Sequence, residues 1–220
     1  MKILALELSS ACGSLAWRDG EIDLACEWPN DRKNSGAFFE NLATVRKEFG
    51  LPETIVVGLG PGSYAGTRIA ISAAIGLSMV GGTGSVPSDQ ENLVGRHGGR
   101  PSKIRLVGYP SICAMESDDD YCAIGDARRN SFFLAMIHDH NLVEGPDLFT
   151  EAELRTKLDK RDMAIFASEE LPQFDQVELR YPSATILAKL ASETNRDFAQ
   201  PPLEPMYLRE PHITEPRKSI

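Results

Sequence analysis

The sequence predicts an α/β protein built from two related halves, each of which runs through strands and then helices. In the first 80 residues the patterns follow the order β-β-β-α-β-α, and from residue 121 strands are again followed by helices. Short β-branched runs bounded by glycine are typical of buried strands, and apolar residues recurring at i, i+4 and i+7 are typical of helices. We therefore expect one half at residues 1–110 and another at 111–220, ending in a polar tail.

Three strands in a meander open the chain. The apolar patterns place them at residues 2–8, 14–18 and 21–28, and Asp19 and Gly20 form a tight hairpin turn between the last two. A dinucleotide-binding unit would open instead with a strand, a helix and a second strand. The N-terminal pattern therefore argues against that class of protein.

A first amphipathic helix follows the meander. Asn34 and Ser35 are a helix-start signal, and Gly50 with Pro52 ends the helix. One apolar face results from the spacing of Phe38, Leu42, Val45 and Phe49.

Residues 54–80 are the most informative part of the sequence. An apolar strand at 55–59 leads into a glycine-rich turn, and a second helix follows that is apolar around nearly its whole circumference. Such a helix must be buried on more than one side. One side can cover a sheet, whereas the other requires a second helix, either of this chain or of a partner.

The rest of the chain alternates between loops, strands and short helices. Glycine-rich residues 81–102 are interpreted as a loop insertion, with one helical turn at 90–94. Thr150 and Glu153 form a capping-box pattern that starts a third helix. The other predicted elements are strands at 104–107, 121–124, 132–137, 142–149 and 163–167, a helical turn at 110–115 and a helix at 182–193.

Composition excludes several classes of protein. The 220 residues are 42% hydrophobic and 25% charged, which is ordinary for a globular protein. A formal net charge of −9 argues against a chain that binds nucleic acid by itself, because phosphate binding requires a basic surface. No signal peptide, C-x-x-C pair or membrane-spanning run is visible. We expect a cytoplasmic protein with reduced cysteines.

The glycine-rich turn allows several interpretations. Gly60, Gly62 and Ser63 belong to a G-x-G-x-x-A pattern after a strand, which would suit a dinucleotide site, but no acidic residue closes a strand about 20 positions later. A phosphate-binding P-loop fails because no Lys-Ser/Thr pair follows the glycines. The alternative is that the glycines only permit a sharp turn, with Ser63 as a helix cap.

Polar residues at the end of the first strand form a second candidate site. Glu7 could orient Mg²⁺ through water, and the turn carrying Ser9 and Ser10 could offer amide groups to a phosphate. The alternative is a carboxylate that merely caps the turn. Elsewhere, His138 and His140 are interpreted as surface histidines, and the turn at residues 126–129 as an ion-pair cluster or a contact site.

Three motifs in chain order carry a family resemblance. They are Gly58-x-Gly60-Pro-Gly62-Ser-Tyr-x-Gly66-x-Arg68, Asp126-Ala-Arg128-Arg129 and Glu204-Pro-x-Tyr207-Leu-Arg209. Together they resemble the TsaB (YeaZ) family of the tRNA threonylcarbamoyladenosine pathway. The resemblance implies an actin-like/Hsp70/sugar-kinase (ribonuclease H-like) fold of two related halves, each with a mixed sheet flanked by helices.

The resemblance also implies partners. It implies a subunit that pairs with the catalytic paralogue TsaD and works with the ATPase TsaE. Such a subunit meets tRNA only through the complex and has no membrane role. When it is alone, the resemblance allows a homodimer. Pairing in the family uses the first two helices. The implied interface residues are Phe38, Leu42, Val45, Arg68, Ile69, Ala73, Gly76 and Val80.

The same resemblance implies a non-catalytic subunit without metal or cofactor. Ser111 and Met115 occupy the positions of the two metal-binding histidines of the catalytic paralogue, and neither can replace an imidazole. Residues 167–170 are acidic and lack the glycines of a phosphate turn. The alternative is a small ATP-dependent phosphotransferase or ATPase acting on its own. Its candidate nucleotide contacts are Glu7, Ser9, Ser10, Gly60, Gly62 and Ser63.

Overall fold

The computed structural model describes residues 1–20, 22–30, 35–82, 103–193 and 195–209, and within them two five-stranded mixed sheets are flanked by helices. Numbered in chain order, the strands of the first sheet are arranged as β3 (Ile22–Pro29), β2 (Cys12–Asp19), β1 (Lys2–Glu7), β4 (Thr54–Gly58) and β5 (Arg105–Tyr109). Those of the second are arranged as β10 (Val177–Leu179), β9 (Ala164–Ala167), β6 (Tyr121–Asp126), β7 (Phe132–His138) and β8 (Asn141–Phe149). The predicted α/β class is confirmed.

The first half contains five strands and two long helices. The hairpin strands β1 and β2 are antiparallel, as are β2 and β3, whereas β1, β4 and β5 are parallel. The predicted meander is therefore present, and the sheet lacks the all-parallel βαβ start of a dinucleotide-binding fold. The elements are β1 (Lys2–Glu7), β2 (Cys12–Asp19), β3 (Ile22–Pro29), α1 (Gly36–Phe49), β4 (Thr54–Gly58), α2 (Tyr64–Gly82) and β5 (Arg105–Tyr109).

The second half repeats the plan with shorter helices. After a short 3-10 helix at Ser111–Cys113, an antiparallel hairpin again adjoins a parallel strand pair. The three-residue strand β10 was not predicted, because it is too short to show a period. The elements are β6 (Tyr121–Asp126), β7 (Phe132–His138), β8 (Asn141–Phe149), α3 (Glu151–Leu158), β9 (Ala164–Ala167), β10 (Val177–Leu179) and α4 (Ala184–Ser192).

Helices pack on one face of each sheet and in the space between the two sheets. Helices α1 and α2 share a core with one face of the first sheet, and α3 shares a core with the outer face of the second. Helix α4 and the 3-10 helix lie between the sheets in a third core with residues from both. The first backbone amide of α4, on Ala184, donates to Ser14 Oγ in β2 at 2.9 Å. The second half is thus anchored in the first sheet.

Local sequence signals explain the start of α3 and the inner face of α1. Thr150 Oγ1 accepts from the amide of Glu153, and the Glu153 carboxylate accepts from the amide of Thr150, so the predicted capping box is present. In α1, the predicted apolar positions Phe38, Leu42 and Val45 are buried against the sheet. Periodicity therefore located the inner face of this helix correctly.

Some predictions fall outside the described residues. The predicted insertion at 81–102 overlaps the end of α2, which continues to Gly82. The rest of the insertion, including the predicted turn at 90–94, lies outside the described residues. The helix-start residue Asn34 and the tail beyond residue 209 also lie outside it. Within the described ranges, no helix has the length and apolarity needed to cross a membrane. The division at residue 110 stays a prediction.

Candidate functional site

The glycine-rich turn between β4 and α2 packs directly on the turn that follows β1. The amide of Ser63 donates to the carbonyl of Ser9 at 2.6 Å. A Cβ atom on Gly62 would stand 2.2 Å from that same carbonyl oxygen, and one on Gly66 would stand 2.0 Å from the carbonyl oxygen of Leu8. These glycines therefore permit two backbone segments to touch, as the turn interpretation expected.

Glu7 lies beneath this contact and is fully buried. Its Oε1 accepts from the amide of Ser9 at 2.6 Å, whereas its Oε2 makes no hydrogen bond. Burial raises the pKa of Glu7, and the polar groups of Ser9 and Ser111 beside the carboxyl lower it only in part. Gly58 leaves the room for this carboxyl, because a Cβ there would meet Oε2 at 1.7 Å. The side chain caps the turn from inside the protein.

Gly60 is tied to the start of the second half rather than exposed to a ligand. Its amide donates to Ser111 Oγ at 2.8 Å, and its carbonyl accepts from the Ser111 amide at 2.8 Å. Its φ of 93° lies in the region that favours glycine. Ser111 therefore has a structural role, in which it connects the glycine-rich turn to the 3-10 helix.

A cavity of about 470 Å³ lies between the two halves, within the usual size range of small-molecule sites. Four of the six predicted contact residues line it, namely Ser9, Ser10, Gly62 and Ser63, whereas Glu7 and Gly60 do not. Sequence reasoning did not place the opposite walls. They come from Asp126, Arg128, Arg129 and Phe133, from Ser168 and Glu169, and from residues 205–209.

The turn between β6 and β7 forms one of these walls in an unusual conformation. Arg128, Arg129 and Asn130 have φ values of 65°, 54° and 55°. Non-glycine residues in this region cost of the order of 1–3 kcal/mol each and cluster at ligand-binding loops. Asp126 supports the turn, since its Oδ1 accepts from the amide of Arg128 at 2.6 Å. The turn carries both arginines to the edge of the cavity.

The C-terminal segment forms a second wall and is fastened to the glycine-rich turn. The amide of Met206 donates to the carbonyl of Leu59 at 2.7 Å. The ring of Tyr207 packs on that of Tyr64, the first residue of α2, with centroids 5.3 Å apart. The segment thus joins the cavity to the start of α2.

The exposed side of α2 forms a second candidate site. The structure corrects part of the predicted interface, because Phe38, Leu42 and Val45 are inside the protein's own core and Phe38 is only 1% exposed. Side chains that already cover the sheet have no surface left for a partner. On α1 the exposed aromatic side chain is instead Phe39, at 50% exposure, which the apolar period did not include.

The other predicted interface residues all belong to α2. Arg68, Gly76 and Val80 are exposed, whereas Ile69 and Ala73 are half-buried and pack against the core. Sequence reasoning missed three large exposed side chains of this helix. We define the α2 face as Tyr64, Arg68, Ile75, Gly76, Met79 and Val80.

The two histidines of the β7–β8 hairpin have local partners. His138 Nδ1 is 2.5 Å from Asp120 Oδ2, and this hydrogen bond raises the pKa of the imidazole. His140 Nδ1 is 2.8 Å from the carbonyl oxygen of Cys113. Both side chains take part in ordinary contacts around the hairpin.

Comparison with solved structures gives a fold match over nearly the whole chain. An uncharacterized Pseudomonas aeruginosa protein with similarity to peptidase YeaZ aligns with a TM-score of 0.68 at 17% identity, covering 94% of this chain and 99% of its own. YeaZ from the same organism aligns with a TM-score of 0.64 at 15% identity, covering 87% and 91%. This chain has the YeaZ fold.

Because the alignments cover both chains almost completely, the YeaZ fold accounts for both sheets rather than for one of them. At these identities the match establishes the fold and not the activity. The sequence itself matches no family model and no curated protein.

Proposed function

We propose that this chain is a non-catalytic cytoplasmic subunit required for threonylcarbamoyl transfer to the tRNA adenosine beside the anticodon. In this proposal it is the dimerisation partner and scaffold of a TsaD-type catalytic subunit, works with a TsaE-type ATPase, and meets tRNA only through the complex. The YeaZ fold and the three sequence motifs support the proposal. The single observation that most directly supports this proposal is the exposed apolar surface of α2.

The α2 face has the composition of a protein interface. Ile75, Met79 and Val80 expose 37%, 66% and 44% of their surface, and Phe39 of α1 lies on the same side of the sheet. A group of large exposed apolar side chains is typical of protein contact sites. Arg68 is the charged residue of the face, and its guanidinium packs over the Tyr64 ring at 5.1 Å. Such a surface suits a partner of similar apolarity.

Gly76 points to close approach by that partner. It lies in the interior of a 19-residue helix, where glycine costs about 0.5–1 kcal/mol relative to alanine. Nothing within 4 Å would obstruct a Cβ atom there, so the folded chain itself gives no reason for the missing side chain. A helix backbone packed closely against position 76 would supply one.

The position of Glu7 favours the subunit over the alternative ATPase. A carboxylate that orients Mg²⁺ must reach the ligand cavity. Here the carboxyl is fully buried, caps the turn through Ser9 and does not line the cavity. The autonomous enzyme therefore lacks the acidic group that the sequence suggested for it.

The proposal is tested by coexpression with the TsaD-type and TsaE-type proteins of the same organism. Met79→Glu places a charge on the α2 face. Burial of a whole methionine side chain contributes about 1.5–3 kcal/mol. Because 66% of the Met79 surface is exposed and available to a partner, its loss would weaken the free energy of binding by about 1–2 kcal/mol. Burying the new charge would add a further cost. We expect at least about tenfold weaker association.

A matched control carries the same change on the second sheet. Val143 in β8 is 57% exposed, so Val143→Glu adds an equal charge away from α2. Calorimetry measures association with the TsaD-type subunit, and a reconstituted reaction measures tRNA modification. Equal association of both variants would overturn the interface. Normal tRNA modification without this chain would overturn the function even if the chains associate.

A further inference from the structure

Three sulfur atoms lie together on the outer face of the second sheet. Cys122 in β6 and Met136 in β7 are directly opposite each other in the antiparallel pair, so their side chains share one face. Met163, just before β9, brings its Sδ to 3.2 Å from Cys122 Sγ. All three side chains belong to the core that α3 covers. They neither line the cavity between the halves nor belong to the α2 face.

This sulfur cluster, formed by Cys122, Met136 and Met163, is accessible from one side. Cys122 is fully buried and its thiol is free, whereas the two methionines are half-buried. The side chain of Arg161 lies over the cluster and is 20% exposed. A small ion can therefore reach the sulfurs past the methionines and the arginine without any opening of the sheet.

Arg161 lies against the same sulfurs. Its Nη1 donates to Met136 Sδ, although a thioether is only a weak hydrogen-bond acceptor. Burial raises the pKa of the Cys122 thiol, and the Arg161 guanidinium beside it lowers that pKa in part. Its Nη2 is also 3.5 Å from Glu144 Oε2. Arg161 can therefore turn away from the sulfurs and keep its ion pair with Glu144.

Thiolate and thioether sulfurs together select soft metal ions. Cysteine and methionine suit Cu(I), whereas Mg²⁺ and Ca²⁺ take oxygen ligands. Within the described ranges, no group of three or more histidine, cysteine or carboxylate residues is placed to hold a metal ion, and the sulfur cluster differs because two of its members are methionines. Three sulfurs at about 2.3 Å from one ion stand about 4 Å apart. The flexible Met163 side chain can open its contact with Cys122 by that small amount.

We propose that Cys122, Met136 and Met163 bind one soft monovalent metal ion of the Cu(I) class. The ion bonds to Cys122 Sγ in place of the thiol proton, which is released to the solvent, and accepts a lone pair from each thioether. The thiolate balances the charge of the ion, so the buried site stays neutral. The expectation of a chain without metal concerned the positions of Ser111 and Met115, and this site uses neither. It is also independent of the proposed role of α2.

Titration calorimetry with silver nitrate in chloride-free buffer tests this site, because Ag⁺ is a soft monovalent ion that keeps one oxidation state. Cys12 and Cys26 are partly exposed thiols, so both are replaced by serine in the reference protein. We expect one Ag⁺ to bind per chain with release of about one proton, measured from the dependence of the heat on the ionisation enthalpy of the buffer. Absence of binding, or binding without proton release, would overturn the proposal.

Variants of the reference protein assign the ligands. Cys122→Ala should remove the site. Met136→Leu and Met163→Leu nearly conserve volume, and each should weaken Ag⁺ binding about tenfold or more. Cys113→Ala and Met115→Leu make the same changes in the core between the sheets and should leave the affinity unchanged.

Thermal unfolding without silver checks that each variant is folded, and the two leucine variants decide the question even if Cys122→Ala does not fold. If either leucine variant binds Ag⁺ as tightly as the reference protein, the three-sulfur site is overturned, because the thiol would then bind without that methionine. A loss of affinity in Cys113→Ala equal to that in Cys122→Ala would also overturn it.

Discussion

Replacing Glu7 by glutamine is expected to remove part of the pH dependence of this protein's stability. The carboxyl is fully buried, and only its Oε1 has a hydrogen-bond partner, the amide of Ser9. Glutamine keeps that acceptor and has nearly the same shape, but it carries no titrating proton. The substitution therefore isolates the titration of one group.

The sign of the effect follows from the raised pKa of Glu7. Between the pKa of an unfolded glutamate, about 4.3, and the higher pKa in the fold, the folded state holds a proton that the unfolded chain has lost. The stability from this group is fully present below the unfolded pKa and is lost as pH rises through the folded pKa. Its slope reaches at most about 1.4 kcal/mol per pH unit.

Urea denaturation of both proteins at intervals from pH 4 to pH 8 measures the difference in free energy of unfolding. All other groups titrate alike in the two proteins and cancel in that difference. We expect the stability of the wild type, relative to Glu7→Gln, to fall as pH rises. A difference that stays constant over the whole range, or that grows with pH, would refute the description of Glu7 as a buried carboxyl.

Two further predictions concern local structure. Gly66→Ala should lower the free energy of unfolding, because the new Cβ would stand 2.0 Å from a backbone oxygen. Gly76→Ala, with open space around it, should raise the free energy of unfolding by about 0.5–1 kcal/mol. Equal effects of the two changes in urea denaturation would contradict the packing of the glycine-rich turn. Thr150→Ala removes the capping box of α3 and should lower the free energy of unfolding by about 1 kcal/mol. Thr156→Ala, at an exposed position of the same helix, is the control. An equal loss of stability in both variants would show that the cap does not stabilise the helix.

Sequence patterns predicted the elements that depend on local periodicity. The inner face of α1, the capping box at Thr150 and the meander of the first three strands could all be predicted because each signal lies within a few residues. Strand β10 could not be predicted, since three residues show no period and its pairing with β9 depends on tertiary contact. Position in the sheet, rather than propensity, makes it a strand.

The candidate sites were only partly predictable for a different reason. Periodicity showed that Phe38 shares an apolar face with its neighbours, but not whether that face meets the sheet or a partner. Phe39, the exposed one, lies off the period. Ser9 and Arg129 face one cavity although 120 positions separate them in the chain, and no local pattern relates them. The sequence identified the first turn and left its opposite wall undetermined.

Helix α4 has a consequence for how the molecule behaves as a whole. Because it is shared between the two sheets and its amide is fastened to Ser14, neither half can keep a complete core after separation from the other. Separating the two sheets would expose the apolar residues of that shared core to water. We therefore expect the two halves to unfold together in a single transition.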